Sequence, residues 1–294
     1  MFYRRKIILA LLQSFQGELE KIRLQKLLFL VSERQQEKVY DFIPYKYGCF
    51  SYSANADLTT MVQKGMLSET ESHFKRTDNQ DYLQSLKDVD RKIIQEVTSL
   101  YGKLSSNGLM KHTYVNFPFW ALNSVKAPHL LTESELQKVI ASKNTDEAIT
   151  LFTIGYEGVS PEAYLNKLIK NNVHVLVDVR KNALSMKYGF SKSHLKRFCE
   201  SVGIEYVHIP EVGIQSDKRQ ALNTQQDYDS LFEDYKSNCL TNTITVQQKI
   251  LKILKDKRRI ALTCFEANIC QCHRKPLAES ITSIANFDFA LKHI

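Results

Sequence analysis

The spacing of apolar positions changes character near residue 149. Before it the period is helical: Ile7, Ile8, Leu11, Leu12 and Phe15 recur along one face, and in "IRLQKLLFLVSERQ" Ile22, Leu24, Leu27, Leu28 and Val31 form the broad stripe of a core helix. After an aromatic, irregular stretch, a helix is expected from about Asp57 to Lys64 with Gly65 as its stop. Its "KGML" end and the short polar turn that follows have the form of the approach to the wing of a winged helix. One long helix and a segment from His112 to Trp120 close the region. Residues 1–125 therefore read as a mainly helical, winged-helix-like domain, and residues 126–148 as a linker with one short helix opened by the capping pattern "TESE" at Thr132.

From residue 149 the pattern alternates between buried strands and amphipathic helices. "ITLFTIGY" is a strand, "SPEAYLNKLIKNN" a helix with Ser160 as its cap and Pro161 in its first turn, and "VHVLVDVR" a second strand. A helix at "SKSHLKRFCESVG", a strand at "IEYVHIP", a long helix within 225–257, a strand at "RRIALTCFE" and a final helix from about Lys275 complete it. The fold class is α/β, with residues 149–294 forming an open, mostly parallel sheet flanked by helices. Ligands of such sheets bind beyond the carboxyl ends of the strands. Three loops lie there.

Composition narrows the setting. With 294 residues, 43% apolar and 24% charged, the chain can build two cores, and no apolar run approaches the ~18 residues of a membrane span. A cytoplasmic protein with no membrane partner is expected, its six cysteines reduced and of interest only as ligands or reactive thiols. The net charge of +8 is shared by both halves and permits a nucleic-acid or phosphorylated partner without requiring one. Clustering carries more information.

The first loop, "TIGYEG", offers Tyr156 and Glu157 between glycines but lacks the spacing of a dinucleotide or P-loop fingerprint. The second holds Asp178, then Arg180, Lys181, Lys187, Lys192, Lys196 and Arg197 with Ser185 and His194, and no acidic residue until Glu200. Those cations suit phosphates, and the interleaved Tyr188 and Phe190 suit base stacking. Ser191 is the expected cap of the next helix, and Asp178 fits either catalysis or a pair with Arg180. The third, "LTCFEANICQCHRKPLAES", brings Cys264, Glu266, Cys270, Cys272, His273 and Arg274 together. Arg274 can grip an anion, Glu266 and His273 can move protons, and Cys264 or Cys272 can serve as a thiolate. Cys270 and Cys272 are too close for a zinc knuckle, and no cysteine stands six residues before an arginine as in phosphatase loops. No metal or cofactor is assigned.

"FTIGYEG", "LVDVRKNALSMKYGFSKSHLKRFCESVGIEYVHIPEVG" and "LTCFEANICQCHRKPLAE" closely resemble the domain of unknown function family numbered 488, over about residues 150–280. That resemblance marks Gly155, Tyr156, Asp178, Arg180, Ser185, Phe190, Gly203, Tyr206, Cys264, Glu266, Cys272, His273 and Arg274. Cys270 matches nothing in it, and residues 214–240 look particular to this chain. "LQKLLFL", "YKYGCFSYS" and "LMKHTYVNFPFW" resemble Panacea-type domains of antitoxins and conflict systems, which implies a protein-partner or winged-helix role for the first domain. The expected function is binding of nucleic acid or a phosphorylated, nucleotide-like ligand at the strand ends, with hydrolysis or modification of that ligand left open. The alternatives are a non-enzymatic DNA-binding regulator or conflict-system component of bacterial defence with a ligand-sensing second domain, and rhodanese-like sulfur chemistry.

Overall fold

Helical periodicity becomes helices where it can close a core. The computed structural model describes residues 1–215 and 222–294, which separate into two units, Met1–Lys143 and Asn144–Ile294. The first unit runs α1 (Tyr3–Gln13), β1 (Glu18–Glu20), α2 (Lys21–Arg34), β2 (Ile43–Tyr45), β3 (Gly48–Phe50), α3 (Tyr52–Gln63), β4 (Leu67–Glu69), β5 (His73–Arg76), α4 (Asp88–Tyr101), α5 (Ser106–Asn116), α6 (Ala127–Leu130) and α7 (Glu133–Ala141). Leu24, Leu27, Leu28 and Val31 of α2 are fully buried, as their stripe requires. Gly65, at φ +68°, releases the chain from α3 into an antiparallel hairpin of β4 and β5, with β1 on the far side of β5. Helix, strand, helix, helix, hairpin is the winged-helix order, here with the β2–β3 hairpin inserted after α2.

Three features differ from the sequence reading in this unit. The aromatic stretch forms β2 and β3, too short for an alternating pattern to register. The long helix is two, α4 and α5, parted at Gly102. Residues 126–148, read as a linker with one short helix, hold two, α6 and α7. The Thr132–Glu135 capping box does form, and Val139 packs with Met110 and Tyr114.

The second unit runs β6 (Thr150–Gly155), α8 (Pro161–Lys170), β7 (Val175–Asp178), α9 (Lys192–Glu200), β8 (Glu205–His208), α10 (Gln225–Asp234), α11 (Ile244–Lys257), β9 (Arg259–Cys264), α12 (Arg274–Ile284) and β10 (Ala290–His293). The sheet order is β10-β6-β9-β7-β8, with every neighbouring pair parallel, as the alternating pattern implied. Strand β10 was not foreseen, because an exposed edge strand reading "ALKH" has no apolar run. The long helix expected within 225–257 is α10 and α11, joined by a π-helical turn at Tyr235–Leu240 and a 3-10 turn at Thr241–Thr243. Part of the segment particular to this chain, 216–221, lies outside the described residues. No helix among the described residues is long and apolar enough to cross a membrane.

The connections place the site. Leu151, Val177, Ile260 and Leu262 pack on one face against Ile250 and Leu254 of α11 and Leu277 and Ile281 of α12. On the opposite face the Tyr164 hydroxyl of α8 donates to Thr263 Oγ1 at 2.7 Å. The chain thus leaves β6 toward one face and its neighbour β9 toward the other, which opens a crevice at their carboxyl ends. Gly155 ends β6 there because nothing larger fits: a Cβ would stand 1.9 Å from the Glu266 carbonyl oxygen. Gly155→Ala is expected to cost about 3 kcal/mol, the upper end of ordinary overpacking, since backbone must move. Unfolding in urea followed by circular dichroism measures this, and an unchanged midpoint would refute so close an approach.

Candidate functional site

On the α8 face, Asp178 ends β7 fully buried. A charge there is tolerated only if paired and bonded. Arg180 supplies both, with Nε on Oδ1 at 2.8 Å and Nη2 on Oδ2 at 2.5 Å. Its backbone N–H adds a bond to Oδ1 at 3.1 Å, and the Tyr206 hydroxyl of β8 donates to Oδ2 at 2.6 Å. Arg180 Nη1 then reaches past the end of β9, the strand between β7 and β6, to donate to the Tyr156 hydroxyl at 2.7 Å and the Phe190 carbonyl at 2.9 Å. The Tyr156 ring lies flat on Phe190, centroids 4.4 Å apart. Burial disfavours the Arg180 charge, but the bonds and charge of Asp178 outweigh it and raise the pKa above its ordinary value. Burial, then Asp178, raises the Tyr206 hydroxyl as well. Asp178 accepts four hydrogen bonds in this network, the arrangement of an ion pair that organises strand ends.

On the α12 face, β9 ends at Cys264, and a short loop with a 3-10 turn at Ile269–Gln271 leads to His273, the residue capping α12. Cys264 Sγ donates to Glu266 Oε2 at 3.2 Å and lies 3.4 Å from His273 Nδ1. His273 Nε2 is 3.1 Å from the Val179 carbonyl, which can only accept. Nε2 therefore carries the proton, and Nδ1 turns its lone pair toward the thiol. Cys264, Cys272 and His273 are all buried, with ligating atoms within 4.8 Å of one another. Burial, and then the bond with Cys264, pushes the Cys272 thiol well above the usual range. Arg274, expected to grip an anion, is buried and braces the loop: Nη1 donates to the Glu266 carbonyl at 2.5 Å and Nη2 to that of Ala267 at 3.2 Å.

Between these networks lies a pocket of about 250 Å³. Of the residues singled out from sequence, Tyr156, Arg180, Lys181, Ser185, Cys264 and His273 line it, joined by Asn182, Leu184, Ile214 and Phe265. Asp178, Glu266, Cys272 and Arg274, also singled out, are not among its lining residues. Glu157 is exposed, and its Oε2 accepts from the Ala267 N–H at 3.0 Å, tying the first loop to the third.

The basic segment is less free than its sequence suggests. Lys187 Nζ is half-buried on the Tyr156 carbonyl at 2.8 Å, and burial lowers its pKa. Lys192 Nζ lies 3.1 Å from His208 Nδ1, Lys196 pairs with Glu200 at 3.8 Å, and Arg197 covers the Phe198 ring. His194 stacks on Phe198, with the Tyr188 ring set at an angle to both. Phe190, expected to stack on bases, is fully buried, and Tyr188 reaches the surface. Ser191 caps α9 by position but bonds the Ser185 backbone instead. Sequence reasoning named neither Asn182 nor Phe265 as a site residue. The one usable signal for Phe265 was a large apolar side chain just past a buried strand, where it now stands 42% exposed.

Residues 160–281 match the family model described as Domain of unknown function DUF488. The match spans α8 through most of α12 and so includes the DVR and CHR segments, while β6 and Tyr156 precede it. No curated protein matches this chain.

The buried pair makes a measurable demand. Asp178→Asn and Arg180→Ala are each expected to destabilise the protein by about 3–5 kcal/mol, because each strands a buried partner. Replacing both with apolar residues is expected to cost less than the sum of the two. Additive losses in chemical denaturation would show that the groups act separately.

Proposed function

We propose that the DUF488 domain of this chain binds a phosphorylated, nucleotide-like ligand in the pocket at its strand ends. The observation that carries this reading is the pocket's lining at the topological switch point: Lys181 and Ser185 on the β7 loop, and the exposed Phe265 ring on the β9 loop. A lysine and a hydroxyl meet a phosphate, and an exposed ring accepts a base. A volume of about 250 Å³ suits one nucleotide-sized group rather than a duplex. A nucleic acid would therefore present a terminal or splayed nucleotide, with its backbone along exposed Lys192, Lys196 and Arg197 of α9. Hydrolysis or modification would draw on His273 and Cys264, which line the pocket. A sulfur-transfer role for Cys272 has less support, since that thiol is buried outside the pocket lining and its pKa is raised.

A DNA-reading role for the first unit has weaker electrostatic support. α3, in the position of a recognition helix, carries no Lys or Arg, and the hairpin turn holds Glu69 and Glu71. A protein partner for that unit is the reading its apolar pocket of about 340 Å³ favours, lined by Tyr45, Tyr47, Phe50 and Phe74.

Fluorescence anisotropy with labelled single- and double-stranded DNA and RNA at two salt concentrations, with mononucleotides as competitors, tests the proposal. Mononucleotides are expected to compete. Lys181→Ala and Phe265→Ala are each expected to weaken binding roughly tenfold. The Lys192, Lys196, Arg197 triple alanine variant is expected to lose affinity for strands and to flatten the salt dependence, with mononucleotide binding retained. Absence of binding to every form by the unaltered protein would end this reading.

A further inference from the structure

We propose that Cys264, Cys272 and His273 form a binding site for a zinc-class divalent metal ion with one coordination position open to the pocket. Their three ligating atoms, all buried, already lie within 4.8 Å of one another. In a tetrahedral site with Zn–S of about 2.3 Å and Zn–N of about 2.0 Å, sulfur and nitrogen stand about 3.5 Å apart. Cys264 Sγ and His273 Nδ1 are 3.4 Å apart.

The imidazole is also turned as a ligand must be. His273 Nε2 donates to the Val179 carbonyl at 3.1 Å, which sets the tautomer and leaves Nδ1 as the donor atom facing the thiols. Metal-bound histidines almost always have such a partner on the other nitrogen. The loop carrying Cys272 and His273 is held by Arg274, bonded to the carbonyls of Glu266 and Ala267.

Charge closes as well. Two thiolates and a neutral imidazole around a divalent ion sum to zero, so the burial that opposes thiolates in the metal-free protein opposes the loaded site much less. Both thiol protons leave on binding, and Glu266 Oε2, 3.2 Å from Cys264 Sγ, is placed to take the first.

Two cysteines and one histidine make the donor set of an open zinc site rather than a closed knuckle. Cys264 and His273 both line the pocket, so the fourth position faces a bound molecule or water. Knuckle spacing argued against zinc because it describes ligands held by one tight turn. Here one ligand comes from the end of β9 and two from the start of α12, and the sheet, not the spacing, brings them together. Cys270, nominally part of the same sequence cluster, is exposed and outside the trio. The site stands whether or not the pocket takes a phosphorylated ligand.

The test uses the full chain, purified with reductant and without chelator. Metal content is measured directly, then the chelator-treated protein is titrated with Co²⁺ and back-titrated with Zn²⁺. The expected result is one equivalent of Co²⁺ per chain, with the absorption of tetrahedral thiolate-bound cobalt, displaced by Zn²⁺. Cys264→Ser, Cys272→Ser and His273→Ala, each checked for folding by circular dichroism, are expected to weaken Co²⁺ binding at least ~10-fold. Cys270→Ser is expected to leave it unchanged. The proposal falls if the unaltered protein gives no thiolate–cobalt absorption, if the absorption survives Cys264→Ser or Cys272→Ser, if it depends on Cys270, or if thiol counting and mass mapping find a Cys264–Cys272 disulfide in the reduced preparation. Because these readouts contain no nucleotide, failure here and failure of ligand binding are separate results.

Discussion

The second unit is organised around a carboxylate placed where water cannot reach it. Asp178 ends β7 with no exposure, and an isolated charge at that depth would neutralise or unfold its surroundings. The fold meets this demand by drawing partners from separate elements: Arg180 from the next turn, Tyr206 from β8 and, through Arg180, Tyr156 from the end of β6 and the backbone at Phe190. One buried charge thereby sets the positions of three strand ends and of the loop that leads into α9. Lys181, Asn182 and Ser185 inherit their places from that loop, so the pocket wall depends on a pair of which Arg180 lines the pocket and Asp178 does not.

The other face meets a different demand. A parallel sheet covered on both sides leaves room for small buried groups at its strand ends, and Cys264, Cys272 and His273 fill that room beneath α12. Gly155 allows the Glu266 carbonyl to lie against β6, and Arg274 secures the same carbonyl from behind. Backbone bonds from Tyr156 and Glu157 to the Phe265 carbonyl join the loop to the neighbouring strand, and the buried Arg274 side chain joins it to the helix start. Such rigidity suits a site whose donors must stay within tenths of an ångström.

Electrostatics follow burial more than composition. The chain carries +8, and its basic segment looks in sequence like six cations without counter-charge. Folding gives Arg180 to Asp178, pairs Lys196 with Glu200 and settles Lys187 on a carbonyl. The remaining field is local, at the mouth of the pocket and along α9. In the first unit, by contrast, Glu69 and Glu71 place acidic charge at the tip of the β4–β5 hairpin.

Buried strands and amphipathic helices were legible because their periods are properties of consecutive residues: β6, β7 and β9 announce themselves as apolar runs, and α2 by its stripe. The DVR and CHR segments marked the ends of β7 and β9 for the same reason, since each sets polar groups directly after an apolar run. Strand β10 was hidden because an edge strand needs only a neighbour to pair with, not an apolar face. Which residues share a face was hidden too. Asp178 and Val179 are adjacent in sequence, yet the pleat sends one side chain toward Arg180 and Tyr206 on one side of the sheet, while the carbonyl of the other meets His273 across it. The cysteines show the limit most sharply: Cys270 and Cys272 are equivalent by spacing, and only the start of α12 buries one beside Cys264 and leaves the other in water. Sequence by itself determined the apolar strands, the amphipathic helices and the chemistry available at their ends. Tertiary structure alone decided which groups meet, because that depends on strand order and on loops whose course is set by contacts between residues far apart in the chain.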